Sequence, residues 1–179
     1  LSPEVLFGGA MGGGKSDALL MAALMFVHVK NYSALILRKT YTDLSLPGAL
    51  IDRSHAWLDA ADAKWSEQLH QWRFPSGATL TFGYLDTASA KYRYQSSEFQ
   101  YVAFDELTQF EREEDYTYLF TRLRKLKDSK VPLRMRAATN PGGVGESWVY
   151  RRFFLDKDPN RRFIPSRLED NPYLDANSY

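Results

Sequence analysis

The sequence contains no cysteine, which excludes disulfide bonds and thiolate metal sites. Charge of neither sign predominates, because 23 basic side chains against 22 acidic ones leave a net charge of +1. Such a chain has no global field that attracts nucleic acid or an acidic membrane, so any such contact must come from a local patch. Its three histidines, His28, His55 and His70, lack the spacing of metal ligands.

Long apolar segments are also missing. The apolar stretch at residues 18–29 is too short to cross a membrane, and no signal peptide is visible. Hydrophobic residues make up 44% and charged residues 25% of the 179 positions, which predicts one soluble domain with a full core. The chain begins beside the first predicted strand and ends without a closing element, so we expect a fragment of a longer protein.

The most informative segment is the glycine-rich run GAMGGGKS at residues 9–16. It fits the phosphate-loop pattern G-x-x-x-x-G-K-[ST] and lies between an apolar run suited to a strand and one suited to a helix. Glycines let successive N–H groups turn toward phosphate oxygens, and the helix N-terminus adds partial positive charge. The predicted nucleotide site consists of Gly9, Gly12, Gly13, Gly14, Lys15, Ser16 and Asp17. Lys15 would neutralise the β- and γ-phosphates and Ser16 would bind Mg²⁺; a merely flexible glycine loop is the alternative.

A second motif is the run YVAFDE at residues 101–106, where an apolar strand ends in two carboxylates. Sheets of α/β proteins bind ligands at the C-terminal ends of their strands, which would bring these acids to the phosphate loop. Asp105 would then hold Mg²⁺ opposite Ser16, and Glu106 would orient or deprotonate an attacking water. Strand ends are often acidic, so this motif indicates a nucleotide site only in combination with the phosphate loop. A carboxylate that activates water favours hydrolysis over phosphoryl transfer by a kinase.

A third motif, AATNPGG at residues 137–143, ends the next predicted core strand in polar side chains. In motor ATPases of the additional-strand, catalytic-glutamate class, this strand lies between the other two. Thr139 or Asn140 would then sit beside the γ-phosphate and couple its loss to movement. The alternative is a simple Asn-Pro turn followed by flexible glycines.

Apolar runs alternate with helical patterns along the chain, which predicts an α/β fold. We expect a P-loop NTPase of the additional-strand class, with a mostly parallel central sheet, helices on both faces and a small antiparallel β insert. The predicted core strands span residues 4–8, 33–38, 100–105 and 133–139. The predicted helices span residues 15–30, 49–61, 111–127 and 146–155. The insert is predicted at residues 64–68, 71–74 and 79–84, around a Pro-Ser-Gly turn.

Taken together, these runs resemble the large terminase subunit of tailed bacteriophages, the motor that packages DNA. FDELTQF at residues 104–110 and DNPYL at 170–174 are more particular to that family than the phosphate loop or the acidic strand. The resemblance extends nearly end to end. It also covers KSDALL at residues 15–20, LILRKT at 35–40, WRFPSGA at 72–78, EFQY at 98–101, RLR at 122–124 and TNPGG at 139–143.

The resemblance implies that residues 1–179 form a single ATPase domain, with about 165–179 leading into a linker subdomain and the C-terminal nuclease domain absent. It implies ATP and Mg²⁺ as cofactors. The implied partners are double-stranded DNA, the portal protein, the small terminase subunit and further copies in a ring of five, without a membrane. Such a protein acts in the host cell cytoplasm at the portal vertex of the procapsid and is not in the mature virion.

The chain departs from this family within the phosphate loop. Many members carry an arginine where this chain has Met11, and a thioether cannot stabilise charge on a transferring phosphoryl group. An arginine finger is worth a factor of about 10³–10⁵ in rate and must here come from elsewhere, with a neighbouring subunit as one source. Arg93 is the first candidate and Arg122 and Arg124 are the second. A solvated or ion-paired arginine is the alternative for each.

Two other function classes share part of the pattern. A helicase or another nucleic-acid-remodelling ATPase has the same three motifs but needs a second motor lobe. A nucleotide-binding assembly module needs no water-activating Glu106. The basic pairs at residues 151–152 and 161–162 either contact DNA or the portal or are ordinary solvated side chains. Arg38 and Lys39 face the crevice and would support the ATP site or a DNA-tracking loop.

Overall fold

The computed structural model describes residues 2–9, 12 and 14–167, and its central element is an eight-stranded sheet. The strands are β1 Glu4–Gly9, β2 Ser33–Arg38, β3 Lys64–Ser66, β4 Gln71–Arg73, β5 Thr79–Tyr84, β6 Tyr101–Phe104, β7 Arg134–Thr139 and β8 Arg161–Ser166. The helices are α1 Lys15–Leu24, α2 Tyr41–Ser45, α3 Leu50–Leu58, α4 Glu113–Phe120 and α5 Glu146–Tyr150, which continues as a π-helical turn over Arg151–Leu155. Short 3₁₀ turns span Ala90–Tyr94 and Leu107–Gln109.

The sheet order brings the three motif strands together. The strands lie in the order β3-β4-β5-β2-β6-β7-β1-β8, and the six from β5 to β8 run parallel. Strand β7 is hydrogen-bonded to both β1 and β6 and so lies between them, as predicted. All six parallel strands end at the same edge of the sheet, which we call the carboxyl edge.

Helices cover both faces of the sheet, which confirms the predicted α/β architecture. On one face, α1 and α3 pack over alternate side chains of β2 and β6, such as Ile36 and Ala103. On the other, α4 and α5 pack over Leu37 and Phe104. Strands buried on both faces must be apolar throughout, which explains their continuous hydrophobic runs. Burial of each leucine or phenylalanine side chain stabilises the fold by about 1.5–3 kcal/mol, so β2 and β6 hold the carboxyl edge in a fixed position.

The predicted antiparallel insert is wrong in one respect. Strand β5 pairs in parallel with β2 over its whole length, from Ser33 opposite Thr79 to Arg38 opposite Tyr84. It therefore belongs to the main sheet, and the antiparallel pairs are β3–β4 and β4–β5, so that β4 runs against the other strands. The turn at residues 75–77 correctly indicates the β4–β5 hairpin. The other neighbour of β5 is a distant segment, and local alternation does not specify such a partner.

Three predicted helices are longer than the observed ones. The helix predicted at residues 49–61 spans only Leu50–Leu58. Helix α1 ends at Leu24, and residues 25–30 form turns. Helix α4 ends at Phe120, so the basic residues at 122–127 do not lie in its last turn. Residues 122–124 instead bond to Phe99, whose N–H donates to the Arg122 carbonyl at 3.0 Å and whose carbonyl accepts from Arg124 at 2.9 Å. This tertiary pairing replaces further helical turns.

Helix α2 and strand β8 are absent from the predicted elements. The Thr40 hydroxyl caps α2 by accepting from the Asp43 N–H at 3.2 Å. Strand β8 pairs in parallel with β1 along its whole length. Its sequence, RRFIPS, does not predict a strand, because two arginines and a proline are unusual in one. An edge position nevertheless tolerates proline. Of the predicted linker, Pro165 and Ser166 complete β8, and residues 168–179 lie outside the described residues.

Candidate active site

The segment between β1 and α1 has a backbone that requires glycine. Gly9, Gly12 and Gly14 have φ angles of 135°, 78° and 69°, which residues with a side chain rarely adopt. A Cβ atom at Gly9 would also collide with the carbonyl oxygen of Ser166 at the end of β8. Ala10, Met11 and Gly13 lie outside the described residues. The described part of the loop thus has the left-handed turns that a phosphate cradle needs.

Lys15 is the first residue of α1 and is buried, with 8% of its surface exposed. Burial lowers its pKa, and the nearby charges of Glu106 and Asp105 oppose this change. The lysine of the first motif therefore lies within electrostatic reach of both acids of the second. Its position at a helix N-terminus adds the positive end of the helix dipole to the same place.

Ser16 and Asp105 are in direct contact, although 89 residues separate them in sequence. The Ser16 hydroxyl lies 3.1 Å from each carboxylate oxygen of Asp105, which follows β6 and is 2% exposed. Both side chains offer the hard oxygen ligands that Mg²⁺ prefers, and Mg²⁺ typically binds one or two such groups together with substrate phosphates. Within the described residues there is no cluster of three acidic or histidine side chains that would hold a metal unaided. The pair therefore fits a magnesium ion that arrives with a nucleotide.

Glu106 points its carboxylate toward solvent from a strained backbone. Its φ and ψ are 58° and 50°, a left-handed conformation that costs a glutamate about 1 kcal/mol or more. The Glu106 side chain is 34% exposed and lines an open cavity of about 320 Å³. Burial and the charge of Asp105 raise the pKa of Glu106, and Arg38 and Lys15 partly offset this rise. Strain of this kind is characteristic of functional positions.

Arg38, the last residue of β2, connects the two carboxylates. Its Nε and Nη2 atoms lie 2.7 and 2.6 Å from Oδ2 of Asp105. The same Nη2 lies 3.8 Å from Oε1 of Glu106, and Nη1 donates to the Asp43 carbonyl at 3.1 Å. Strands β2 and β6 are adjacent in the sheet, so their ends coincide. Arg38 therefore lies at the carboxyl edge, and its partners there are Asp105, Glu106 and the Asp43 carbonyl.

The side chains of Asn140 and Thr139, at the end of β7, make different contacts. Asn140 Nδ2 donates to Oε1 of Glu106 at 3.4 Å, and its buried Oδ1 has no hydrogen-bond partner among the described residues. The Thr139 hydroxyl instead lies 2.9 Å from the hydroxyl of Thr108, in the turn after Glu106. Asn140 thus contacts Glu106, whereas Thr139 ties β7 to that turn. Sequence reasoning did not single out Thr108, and its place in the TQF run was the available signal.

Asp17 and Arg93 lie apart from this group of residues. The Asp17 carboxylate is 2.6 Å from Nη1 of Arg53 on α3. Arg93 is 48% exposed, lies 4.8 Å from the ring centre of Tyr84 and forms an ion pair of 3.3 Å with Asp86. Tyr84 ends β5, which is four strands from β1 and hence about 19 Å away at the usual strand spacing. Arg93 is therefore on the carboxyl edge but far from the phosphate loop of its own chain.

The remaining basic candidates are divided between the surface and the interior. Arg122 is half-buried and donates to the backbone carbonyl of Gln95, whereas Arg124 is exposed and donates to that of Leu123. Of the two basic pairs, Arg152 and Arg161 turn inward to the carboxylate of Glu4, at 2.7 and 3.2 Å. These two side chains serve the interior of the fold, and only their neighbours in each pair are exposed.

Comparison with known families identifies the chain. A family model described as "Terminase large subunit, T4likevirus-type, N-terminal" matches residues 6–154. The chain belongs to this family. The resemblance seen in its sequence is thereby confirmed, although no curated protein matches the chain.

Solved terminase structures share its fold. The large terminase of a thermophilic bacteriophage in complex with ADP superposes with a TM-score of 0.71 at 15% identity, over 98% of this chain and 43% of that protein. The same terminase with ATP-gamma-S gives a TM-score of 0.68 at 16% identity, over 99% and 42%. This chain therefore spans less than half the length of that protein. No helix among the described residues is long and apolar enough to span a membrane.

Proposed function

We propose that this terminase domain is a P-loop ATPase of the additional-strand, catalytic-glutamate class, which hydrolyses ATP with Mg²⁺ to move double-stranded DNA into a preformed capsid. The observation that carries the proposal is the contact of Ser16 with Asp105 beside the strained Glu106. The nucleotide complexes of the thermophilic bacteriophage terminase support the same ligand. Family membership favours this function over the helicase-like alternative.

The chemistry follows from the positions of four side chains. Lys15 and the loop N–H groups would bind the phosphates, and Ser16 and Asp105 would hold the metal. When bound, Mg²⁺ would neutralise charge shared by the β- and γ-phosphates. The oxygen of a water molecule would attack the γ-phosphorus, and the bond between that phosphorus and the β–γ bridging oxygen would break. Glu106 would take a proton from the water. The products are ADP and inorganic phosphate.

Asn140 would report the loss of the γ-phosphate. Its amide donates to Glu106, and its buried Oδ1 retains unused accepting capacity, which suits a side chain that senses the attacking water. The Thr139–Thr108 hydroxyl contact would carry a change at Glu106 into the turn that follows it. In the complete terminase this movement would reach a DNA-gripping surface. Family membership supports the portal, the small subunit and a ring of further copies as partners, at the procapsid portal in the host cytoplasm.

The direct test is ATP turnover per chain, measured at increasing protein concentration, with Lys15→Ala as the blank. We expect the wild-type rate to exceed the blank and to rise with concentration as subunits complete one another's sites. A wild-type chain that binds no Mg·ATP and matches the blank at every concentration would refute the proposal.

Arg93 is proposed as the arginine that acts on a neighbouring site. Its distance from its own phosphate loop and its exposure both support a role in trans. Arg93→Ala should abolish the concentration-dependent part of the turnover, since such a finger is worth about 10³–10⁵ in rate. Arg124→Ala, at another exposed arginine, provides the comparison. A rate that still climbs with concentration in Arg93→Ala would exclude Arg93.

A further inference from the structure

The hydrolytic carboxylates are held by a single guanidinium. Arg38 contacts Oδ2 of Asp105 through two nitrogens and approaches Oε1 of Glu106 with one of them. It is the only arginine of the described residues that forms an ion pair with either acid. Asp105 in turn contacts Ser16, so the guanidinium contacts one of the two expected metal ligands directly and lies one carboxylate away from the other.

The surroundings of Arg38 fix its position. Its side chain is 19% exposed, and a third anchor, the Asp43 carbonyl, holds the far side of the guanidinium. Arg38 also lines the open cavity of about 320 Å³ with Glu106 and Lys39. A planar fork anchored on three sides presents its donors in a fixed geometry, which a lysine ammonium does not reproduce.

We propose, on the basis of the hydrolytic function above, that Arg38 is a positioning residue for Asp105 and Glu106. It neutralises and orients both carboxylates before nucleotide binds, and it shares Asp105 with the metal afterwards. Arg38 and the metal therefore compete electrostatically for the same carboxylate. Asn140 donates a long hydrogen bond of 3.4 Å to the same Oε1 of Glu106, so Arg38, at 3.8 Å, acts on this carboxylate through its charge.

Two consequences follow for a variant that lacks the positive charge. The metal should bind more tightly, because a cation next to its site has been removed. Hydrolysis should nevertheless become slower, because Glu106 is no longer oriented toward the reacting water. A residue that merely stabilises the fold would not change these two quantities in opposite directions.

The test compares Arg38→Gln and Arg38→Lys with the wild-type chain. Mn²⁺ replaces Mg²⁺ as a paramagnetic probe, and its affinity in the presence of ADP is measured by electron paramagnetic resonance. Arg38→Gln should bind Mn²⁺ about fivefold more tightly, as expected for a charge removed a few ångströms away. Its kcat should fall about 10²-fold with KM within about threefold, the loss typical of a misplaced catalytic group. Arg38→Lys should restore the wild-type Mn²⁺ affinity but only part of kcat.

Arg152→Gln is the matched control. Arg152 is also a half-buried arginine, with 14% of its side chain exposed, and it bridges two carboxylates, Glu4 and Glu113, at the opposite edge of the sheet. Thermal unfolding monitored by circular dichroism sets a temperature at which every variant is folded. At that temperature Arg152→Gln should keep the wild-type Mn²⁺ affinity, kcat and KM.

Two results would overturn the inference. One is wild-type kcat in Arg38→Gln, and the other is an Mn²⁺ affinity that is unchanged or weaker. The proposed function fails separately, if Lys15→Ala and Glu106→Gln hydrolyse ATP like the wild type. If turnover of the chain is too slow to compare, the Mn²⁺ affinity alone decides, because it requires no hydrolysis.

Discussion

Two clusters of partly buried charge lie at opposite edges of the same sheet. The carboxyl-edge cluster contains the side chains of Lys15, Arg38, Asp105 and Glu106. The amino-edge cluster contains those of Glu4, Glu113, Arg152 and Arg161. Each has two cations and two carboxylates and joins segments that are distant in sequence. Charge composition alone does not distinguish them.

They differ in how completely their hydrogen bonds are satisfied. At the amino edge, Oε1 of Glu4 accepts from Tyr116 and Arg152, and Oε2 accepts from Arg152 and Arg161. Burial lowers the pKa of Arg152, but the hydrogen bonds and charge of Glu4 more than offset this, and the pKa is raised overall. The ions of this cluster are fully engaged with one another. It fastens β8 and the turn after α5 to β1.

At the carboxyl edge, Glu106 has long contacts of 3.4 Å with Asn140 and 3.8 Å with Arg38, lies in a left-handed conformation and borders an open cavity. Asn140 next to it has a buried oxygen without a partner in the described part of the chain. This cluster combines backbone strain with incompletely satisfied polar atoms. Incomplete satisfaction, and not the presence of charge, distinguishes the proposed nucleotide site from the amino-edge cluster.

The largest expected effect is at the amino edge. Glu4→Gln removes the carboxylate that Arg152 and Arg161 share, although each keeps a second acid, Glu113 and Asp158, and it should lower the free energy of unfolding by about 1.5–3 kcal/mol. Urea denaturation measures the change, and Glu114→Gln, at an exposed acid of α4, should stay within about 0.5 kcal/mol of the wild type. A loss below about 1 kcal/mol in Glu4→Gln would contradict a structural role for this cluster.

A smaller effect is expected at the link between the sheet and the turn after Glu106. Thr108→Val removes the hydroxyl that contacts Thr139 and keeps the shape of the side chain, so we expect a loss of about 1 kcal/mol in unfolding free energy. Because the phosphate loop is not touched, nucleotide affinity should be unchanged, whereas turnover should fall. Calorimetric titration with ADP and a turnover assay separate the two quantities. A parallel loss of affinity would place Thr108 in binding instead of coupling.

The smallest expected change in stability has the opposite sign. Glu106→Asn relieves the left-handed strain, which asparagine tolerates, and removes a carboxylate beside Asp105. The free energy of unfolding should rise by about 0.5–1 kcal/mol while hydrolysis is lost. Urea denaturation of this variant and of Glu4→Gln then gives shifts of opposite direction. A destabilised Glu106→Asn would show that the carboxyl-edge cluster also supports the fold.

Local patterns predict the parts of this site that lie within one segment. The glycines around Lys15, the two acids after β6 and the polar end of β7 are each visible in a few consecutive residues. The order of β1, β7 and β6 was also predictable, because it belongs to the class that the three motifs indicate. These features are fixed by backbone conformation and by strand ends, both of which are properties of short sequences.

The parts that escaped prediction depend on long-range pairing. The contacts of Arg38 with Asp105 span 67 residues and exist because β2 and β6 are neighbours. Strand β8 is recognisable only beside β1, where Glu4 neutralises Arg161. The end of α4 is set by hydrogen bonds to Phe99. In each case the sequence pattern permits several partners, and the packed sheet selects one.

The most direct test of the account is the fate of ATP bound to Glu106→Gln. Wild-type chain and variant are mixed with Mg²⁺ and limiting radiolabelled ATP, and the bound nucleotide is recovered and separated over time. We predict that both bind ATP, that the wild type converts it to ADP and phosphate, and that the variant retains it at least about 10²-fold longer. Conversion at the same rate in both would show that Glu106 does not activate the water and that the carboxyl edge is not the hydrolytic site described here.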